Sequence, residues 1–391
     1  MSLLPQTVSE MQGKASTNCP SIQTYRCCFI PPYILKAIAN SDAVDESCRA
    51  ASRHALEASQ KCHEHRHNLS ATAYVGSSSV STQVQLDTQE ALKGSDPAAT
   101  AITRKVYDSK QTAKLPGILV RAEGQPRVKD RNINNCYEGL GITARFYKAV
   151  FNRNSLDGKG MALIGTCHYP DPKEPLGFNN AFWNGEQMVF GDGDGIVFDY
   201  LTDSLDVIAH ELTHGFVQYS SELKYEDQSG ALNESVADVF ACMVEQWHTN
   251  QTADQADWIL GQTLFPVAYK GIALRSLRSG KAYVDDPVMG TDPQPKHMKD
   301  LYTGTEDDGG VHINSGIPNH AFYLAATKIG GFSWEKVGKV WYKTMVSGRV
   351  PNTCDFKTFA NITVDIAGGV FPSDGSVKSA IKDAWVHVGV L

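Results

Sequence analysis

The sequence predicts an α+β fold in which a small N-terminal unit precedes a β-rich half and a mainly α-helical half. Two observations carry this prediction. Residues 104 to about 198 form short apolar runs separated by Gly and Asp turns, whereas a helical periodicity of apolar residues begins after residue 206. A chain of 391 residues with 42% hydrophobic content can bury a large core, so we expect two or three domains.

The N-terminal unit is predicted to span residues 1–75, with a processing boundary between residues 70 and 103. A helical stretch follows the apolar segment 30–35, and residues 45–69 are rich in Ala, Glu and Arg, which favours a second helix. Residues 70–100 are dense in Ser, Thr and Ala with little periodicity. This composition is typical of a processing-sensitive linker or a loosely held edge strand.

The other two parts are predicted as residues 104–205, rich in β-strands, and residues 206–391, mainly helical. A loop rich in Gly, Pro and Asp interrupts the helices at residues 279–295, and an amphipathic segment, residues 376–388, closes the pattern. One helix starts near Ser204, whose hydroxyl can cap it. This helix would lie at the junction of the two halves, where binding clefts commonly form.

Charge and hydropathy exclude some partners. The net charge of -7 and the absence of a Lys/Arg run argue against nucleic acid or an anionic membrane. No apolar stretch reaches about 18 residues, so no membrane span is expected.

Residues 1–20 lack the basic start and apolar run of a conventional secretory signal, so we expect a cytoplasmic protein or one exported by an unconventional route. The sequence does not indicate the oligomeric state.

The nine cysteines are odd in number and show no paired zinc-ribbon or redox spacing. Reduced thiols are favoured over a disulfide framework in a protein made in the cytosol, but both interpretations stay open.

The most informative motif is His210-Glu211-Leu212-Thr213-His214. On a helix, two imidazoles four residues apart lie on one face, which suits two ligands of a tetrahedral zinc ion. Glu211, beside the first ligand, can take a proton from water activated by the metal. The pattern therefore predicts a hydrolytic zinc site.

A hydrolytic zinc ion needs a third protein ligand, and Glu234 lies about twenty residues further on in a second amphipathic stretch. Asp238 follows one helical turn later and can accept the second N–H of His210. Two packed helices would thus supply three ligands and one outer carboxylate.

These motifs, together with four further segments in the same order, resemble the thermolysin-like neutral metalloproteases. The further segments are NNAFWNG (179–185), GDGDG (191–195), ALRS (273–276) and GGVHINSG (309–316). The resemblance covers the chain from about residue 104 to the C terminus. It implies a thermolysin-like fold with the active-site cleft between the β-rich and helical halves, preceded by a small propeptide.

The resemblance also implies roles for individual residues. His210, His214 and Glu234 match the zinc ligands, Glu211 the general base, and Asp238 and Asn233 the residues that support the ligands. Tyr225 and His312 match donors to the developing oxyanion, and Asp307 the carboxylate that orients His312. Arg275 matches the guanidinium that holds a substrate carbonyl, and Asn180 with Ala181 the edge strand that pairs with substrate backbone.

The pocket for the residue just after the scissile bond is expected to be apolar. The residues at the matching positions are Phe198, Leu201, Val207, Leu260, Leu264 and Leu274. This lining predicts cleavage on the N-terminal side of large hydrophobic residues, although some of these side chains could simply belong to the core.

Pro31-Pro32-Tyr33 resembles a motif in the short propeptide of protealysin-like members of the family. The implied role is inhibition of the zymogen by a segment lying in the cleft, because a proline-stiffened chain loses little entropy on docking. The alternative is a surface polyproline turn. A thiolate from Cys27 or Cys28 on the zinc is chemically possible but is not part of the family's pattern.

The chain departs from the family's pattern at the calcium-binding positions. Asp206, Glu245 and Asp257 match calcium ligands of thermolysin, but acids are replaced at three other positions, by Ile259, Gln262 and Thr263. Since calcium prefers six to eight oxygen ligands, we expect reduced calcium binding or none.

The sequence therefore predicts a zinc endopeptidase made as a zymogen, with peptides or proteins as substrates. Two alternatives stay open: a non-catalytic zinc-binding or partner-binding protein that retains the scaffold, and a metal-independent interaction protein. The first would be favoured if Glu211 or His312 were missing, and both are present.

Overall fold

The computed structural model describes residues 27–73, 102–170 and 177–391, apart from residues 268, 270–272 and 279. The side chains of Cys27 and of residues 60–73 are not described. Residues 74–100 of the predicted linker and the N-terminal segment 1–20 therefore lie outside the described residues, while residues 70–73 belong to the second helix of the N-terminal unit.

The N-terminal unit contains strand β1 (Cys27–Cys28), helix α1 (Pro32–Ala39) and helix α2 (Glu46–Ala73). Helix α1 starts at Pro32 because proline fits the first helical position, where no N–H is needed. It buries Ile34, Leu35 and Ile38. Both predicted helices are confirmed, and Pro31-Pro32 forms the start of a helix rather than an isolated surface turn.

A six-stranded mixed sheet has the order β1-β5-β6-β4-β2-β3. The remaining strands are β2 (Arg104–Asp108), β3 (Ile118–Ala122), β4 (Leu163–Tyr169), β5 (Ala181–Trp183) and β6 (Met188–Gly191). Strand β1 pairs antiparallel with β5, so the N-terminal unit completes an edge of this sheet.

The half predicted to be β-rich also contains a long helix, α3 (Arg131–Phe151), which the sequence pattern did not reveal. Its Asn and Gly residues have low helix propensity. The Asp130 side chain nevertheless caps it by accepting from the Ile133 N–H, and the face that carries Ile133, Cys136 and Leu140 is buried. Tertiary packing outweighs propensity in this helix.

The C-terminal half is helical, as predicted. Its helices are α4 (Leu205–Gln218), α5 (Asp227–Thr249), α6 (Glu306–Asn314), α7 (Gly316–Ile329), α8 (Val337–Met345), α9 (Phe356–Val370) and α10 (Gly375–His387). A short ribbon of β7 (Ile259–Leu260) and β8 (Arg275–Ser276) lies between α5 and α6. None of the described residues between 250 and 305 is α-helical, so this region is much longer than the predicted loop.

Helix α4 lies between two hydrophobic cores. Ala209 and Phe216 belong to the core of the helical half, whereas Val207, Ile208 and Leu212 belong to the core around the sheet. The motif-bearing helix is therefore at the junction of the halves, as predicted. Ser204 is its N-cap residue, but the Ser204 hydroxyl donates to the Asp206 carboxylate instead of capping the helix.

Among the described helices, none combines the length and apolar character needed to cross a bilayer. The cysteines whose side chains are described carry no disulfide: Cys28, Cys48, Cys136, Cys167, Cys242 and Cys354.

Candidate active site

Helices α4 and α5 bring the three predicted metal ligands together. The Nε2 atoms of His210 and His214 lie 3.0 Å apart, and Glu234 carboxylate oxygens lie 3.4 Å from the first nitrogen and 3.5 Å from the second. Ligands at about 2.0–2.1 Å from a tetrahedral zinc ion are separated by about 3.3 Å. Within the described parts of the chain, these residues form the group able to hold a metal ion.

The outer partners of the histidines turn both Nε2 lone pairs inward. His210 Nδ1 lies 2.9 Å from Asp238 Oδ1, and His214 Nδ1 donates to Asn233 Oδ1 at 2.9 Å. Two lone pairs therefore face each other beside a carboxylate, and Glu234 Oε2 is buried with no hydrogen-bond partner among the described residues. Such a site is electrostatically incomplete without a cation, so its residues fit a zinc ion.

Burial and charge keep two of the three ligands, His214 and Glu234, in metal-binding forms. Burial lowers the pKa of His214 to about 3, so its ring stays neutral. Burial alone would raise the pKa of Glu234, but His312 and His214 hold it well below its usual range, so the carboxylate stays ionised.

Glu211 presents one oxygen to this site. Its Oε2 accepts from the Trp183 N–H at 2.9 Å, whereas Oε1 is buried and has no hydrogen-bond partner in the described chain. Burial and the charge of Glu234 raise the pKa of Glu211 well above its usual range. The side chain is therefore fixed in position, and its carboxylate is more basic than usual, which suits it to take up a proton.

On the facing side of the cleft, α6 carries His312. Its Nδ1 lies 2.6 Å from Asp307 Oδ1, and its backbone N–H donates to Asp307 Oδ2 at 2.9 Å. Burial alone would lower the pKa of His312, but Asp307 and Glu234 raise it to about 9. The Tyr225 hydroxyl lies 3.1 Å from His312 Nε2 and donates to Glu234, so here it bonds a ligand instead of facing the cleft.

The backbone of residues 28–30 occupies the cleft. The Phe29 N–H donates to the Ala181 carbonyl at 3.1 Å, and the Ile30 N–H donates to Asn180 Oδ1 at 2.9 Å. The Asn180 amide donates in return to the Ile30 carbonyl at 3.2 Å. His312 Nε2 donates to the Cys28 carbonyl at 3.0 Å. Cys28 thus offers its carbonyl to this side of the site, and its thiol is not in the ligand group.

Arg275, which matches the guanidinium that holds a substrate carbonyl, is buried behind the ligand His210. It lies on strand β8 and is 1% exposed. Its Nε donates to Asp238 Oδ1 at 3.0 Å, and its Nη1 donates to the Phe29 carbonyl at 3.0 Å. One guanidinium therefore joins the carboxylate behind His210 to the chain in the cleft.

The Phe29 side chain fills an apolar pocket beside the ligands. Its ring is fully buried, 5.0 Å from the His210 ring in an edge-on arrangement, with the Arg275 guanidinium 4.5 Å from the ring centre. Five of the six predicted pocket residues belong to the same core as Phe29: Phe198, Leu201, Val207, Leu264 and Leu274. Leu260 belongs to the core of the helical half instead.

Asp206, Glu245 and Asp257, the remaining calcium-type acids, do not form a metal-holding group in the described structure. Asp206 accepts from the N–H groups of Val207 and Gly261, at 2.7 and 2.6 Å. Burial, Asp206 and Asp257 raise the pKa of Glu245 to about 8.

Sequence reasoning missed two groups that support the site. The Asn319 amide on α7 donates to Asp238 Oδ2 at 2.9 Å, and the Trp183 N–H holds Glu211. Neither contact leaves a local sequence signal, because each joins segments far apart in the chain.

Comparisons with known proteins agree with this geometry. Two family models match, one described as the catalytic domain of thermolysin metallopeptidase over residues 73–218 and the other as its alpha-helical domain over residues 221–390. An extracellular metalloprotease of Pectobacterium carotovorum subsp. carotovorum is 44% identical over 365 residues, which is 93% of this chain and 96% of the relative. Protease PrtS of a Photorhabdus species is 48% identical over 310 residues, covering 78% and 81% of the two chains.

A solved structure is also similar. The precursor of protealysin, a metalloproteinase from Serratia proteamaculans, superposes with a TM-score of 0.78 at 40% identity, covering 93% of this chain and all of that one. With its two helices supplying two histidines and a glutamate, the chain belongs to the thermolysin family of zinc metalloendopeptidases.

Proposed function

We propose that the chain hydrolyses peptide bonds on the N-terminal side of large hydrophobic residues, and that its N-terminal unit blocks the site until it is removed. The observation that carries this proposal is the position of Phe29, whose ring is buried beside His210 while its backbone pairs with the edge strand. A segment bound in this way occupies the place of a peptide substrate.

Zinc, when bound, acts as a Lewis acid and lowers the pKa of water. Glu211 accepts the proton of the attacking water at Oε1 and passes it to the leaving nitrogen. Its other oxygen is held by the Trp183 N–H, so the receiving oxygen is kept in position. General acid–base catalysis of this kind contributes about 10²–10⁴-fold in rate.

His312 donates to the oxygen of the carbonyl that is attacked. Its raised pKa, about 9, keeps the ring protonated at neutral pH, and Asp307 fixes its orientation. One such donor is worth about 2.7–4 kcal/mol of barrier. Tyr225 lies next to the same nitrogen, and we assign it the second donor.

Substrate recognition comes from backbone and pocket together. Asn180 and Ala181 pair with the substrate backbone, and Arg275 holds the carbonyl of the residue after the scissile bond, as they do for residues 29 and 30 here. Burying a Leu or Phe side chain in the apolar pocket contributes about 1.5–3 kcal/mol.

The N-terminal unit acts as a propeptide in the cleft. Pro31 and Pro32 lead the chain from the cleft into α1, and Tyr33 packs against the core around the sheet. Contacts outside the cleft also bind the N-terminal unit to the rest of the chain. Lys36 pairs with Glu306 at 3.0 Å, and the Cys48 thiol donates to Asp194 Oδ2 at 3.2 Å. Since the segment is covalently linked, it competes with substrate at a high effective concentration.

Calcium is not required for this activity. The Asp206 carboxylate is satisfied by N–H groups, and burial favours the neutral form of Glu245, so the acids left at the calcium positions offer too few charged oxygens.

The test is hydrolysis of a peptide with Phe after the scissile bond, before and after limited proteolysis within residues 74–101. We expect trimming to activate the chain and Glu211→Gln to lower kcat by about 10²–10⁴-fold, with zinc still stoichiometric by elemental analysis. The exposed Glu186→Gln is the matched control and should behave as wild type.

Other outcomes favour other functions. Full activity of Glu211→Gln removes the proposed base. A trimmed chain with bound zinc and no hydrolysis supports a non-catalytic zinc protein, and purified chain without zinc supports a metal-independent one.

A further inference from the structure

We infer that the peptide bond between Cys28 and Phe29 is itself a substrate, which the zymogen cuts within its own cleft. The inference rests on the proposed function and adds a cleavage site inside the N-terminal unit, about 40 residues before the predicted linker at residues 70–100. It follows from the direction and register of the bound segment.

The backbone contacts define that register. The Cys28 carbonyl accepts from His312, the donor assigned to the carbonyl under attack, at 3.0 Å. On the other side of the bond, the Phe29 N–H donates to the Ala181 carbonyl and the Phe29 carbonyl accepts from Arg275. The Cys28 carbonyl and the Phe29 nitrogen therefore occupy the places of the attacked carbonyl and the leaving nitrogen.

The side chain of Phe29 meets the second requirement. It is a large hydrophobic residue, it directly follows the bond, and it fills the pocket beside His210. Direction, hydrogen bonding and side-chain preference thus select the same bond.

The reaction balances without a further reactant. Water adds to the Cys28 carbonyl carbon, the bond from that carbon to the Phe29 nitrogen breaks, and Glu211 carries the proton of the water to that nitrogen. The products are a carboxylate at Cys28 and an α-amine at Phe29.

The cut chain should stay inhibited. Residues from Phe29 onward remain anchored by the buried face of α1, by the Lys36–Glu306 pair and by Cys48 on Asp194. Phe29 would keep its place in the pocket after cleavage. Cutting here is therefore separate from activation, which requires removal of α1 and α2.

The cut should also be intramolecular. Cys28 is 2% exposed and Phe29 is fully buried, so the cleft of a second molecule cannot reach the bond. The rate constant should not depend on protein concentration.

The experiment uses the full chain, purified with chelator and then supplied with zinc at two protein concentrations tenfold apart. Intact mass and N-terminal sequencing should show a new N terminus at Phe29, formed with the same first-order rate constant at both concentrations. Hydrolysis of an added peptide should stay at the level of the uncut zymogen.

Variants test the register. Phe29→Asp should slow the cut by at least about 100-fold, because a carboxylate does not enter the apolar pocket, whereas Phe29→Leu should stay within about tenfold of wild type. Glu211→Gln should stay intact.

A second readout needs no turnover. In the zinc-free Glu211→Gln chain, hydrogen exchange should show protected Phe29 and Ile30 amides, and Phe29→Asp should remove that protection. Unprotected amides in the Glu211→Gln chain would overturn the register.

The remaining outcomes separate the two proposals. If no chain starts at Phe29 while the linker-trimmed enzyme hydrolyses a peptide with Phe after the scissile bond, this inference is wrong and the proposed function stands. A rate that rises with protein concentration overturns cleavage in the molecule's own cleft. If the trimmed enzyme hydrolyses no peptide at all, the proposed function fails and this inference fails with it.

Discussion

Helices α4 and α5 bring acidic side chains together at two places, one suited to a metal ion and the other to a protonated carboxyl group. In the middle of the pair, Glu234 faces two histidine lone pairs, with Oε2 left unsatisfied in the described structure. Toward the N-terminal end of α4, Asp206 lies within electrostatic reach of Glu245 near the C-terminal end of α5. One place needs a cation, and the other holds a proton.

The difference lies in what surrounds the oxygens. Asp206 receives two backbone N–H groups and the Ser204 hydroxyl, whereas Glu245 is left to compete with the charges of Asp206 and Asp257. The number of acids therefore does not define a metal site. A metal site is defined instead by lone pairs that converge on one point with no hydrogen-bond donor between them.

The largest effect should come from exchanging acids along α5. Glu234→Gln removes a charged ligand, so we expect zinc affinity to fall by more than about 100-fold, beyond the usual loss for an outer partner. Glu245→Gln, on the same helix, is the matched control and should leave zinc affinity unchanged. Competition with a chromogenic chelator measures both. Equal losses of zinc affinity in the two variants would mean that Glu234 and Glu245 both contribute to zinc binding.

The second prediction concerns pH and calcium at Glu245, whose pKa is about 8 in the fold against an ordinary value of 4.5. The stability gained from the neutral form is complete below pH 4.5 and is lost as pH rises through about 8. Glu245→Gln should therefore raise Tm by a few degrees near pH 9 and much less near pH 5.

Millimolar calcium should change the Tm of the native chain by less than about 1 °C. A larger rise that Glu245→Gln abolishes would show that calcium binds there and that the acids ionise together.

The smallest expected effect is on stability and concerns a third cluster of acidic residues, in which the positive charge belongs to the side chain of His168. His168 Nδ1 lies 2.9 Å from Asp192 Oδ1, and His168 Nε2 lies 2.9 Å from Asp130 Oδ2. The hydrogen bond to Asp192 is the main cause that raises the pKa of His168 to about 9. This stabilisation is complete below the ordinary value of 6.5 and is lost as pH rises through about 9.

We expect His168→Asn to cost about 1–2 kcal/mol at pH 6 and progressively less toward pH 10, since the partly exposed partners are screened by solvent. Asparagine suits the left-handed backbone at this position, where φ is 57°. Chemical denaturation at several pH values measures the effect. A pH-independent loss would assign His168 a packing role only.

Much of the site could be predicted because its signals are local. His210 and His214 share a face by helical spacing, and Glu234 and Asp238 are one turn apart on the next helix. The convergence of the ligands and the Asp238 contact follow from that periodicity once α4 and α5 pack together.

Other features left no local trace. Helix α3 contains poor helix formers and is stabilised by burial. Arg275 is buried on a strand because Asp238 neutralises its charge, while its Nε and Nη1 donate to Asp238 and to the Phe29 carbonyl. The Tyr225 hydroxyl turns to Glu234, an orientation that residue identity does not fix.

The sequence by itself determined the helices that carry the metal ligands and the glutamate beside them, because periodicity and residue chemistry act over a few residues. Only the tertiary structure decided that the bond after Cys28 meets His312, which is 284 positions away, and that Arg275 reaches Phe29 across 246. Such contacts depend on which overall packing buries the most apolar surface while satisfying most buried polar groups, and a local sequence pattern does not contain that information.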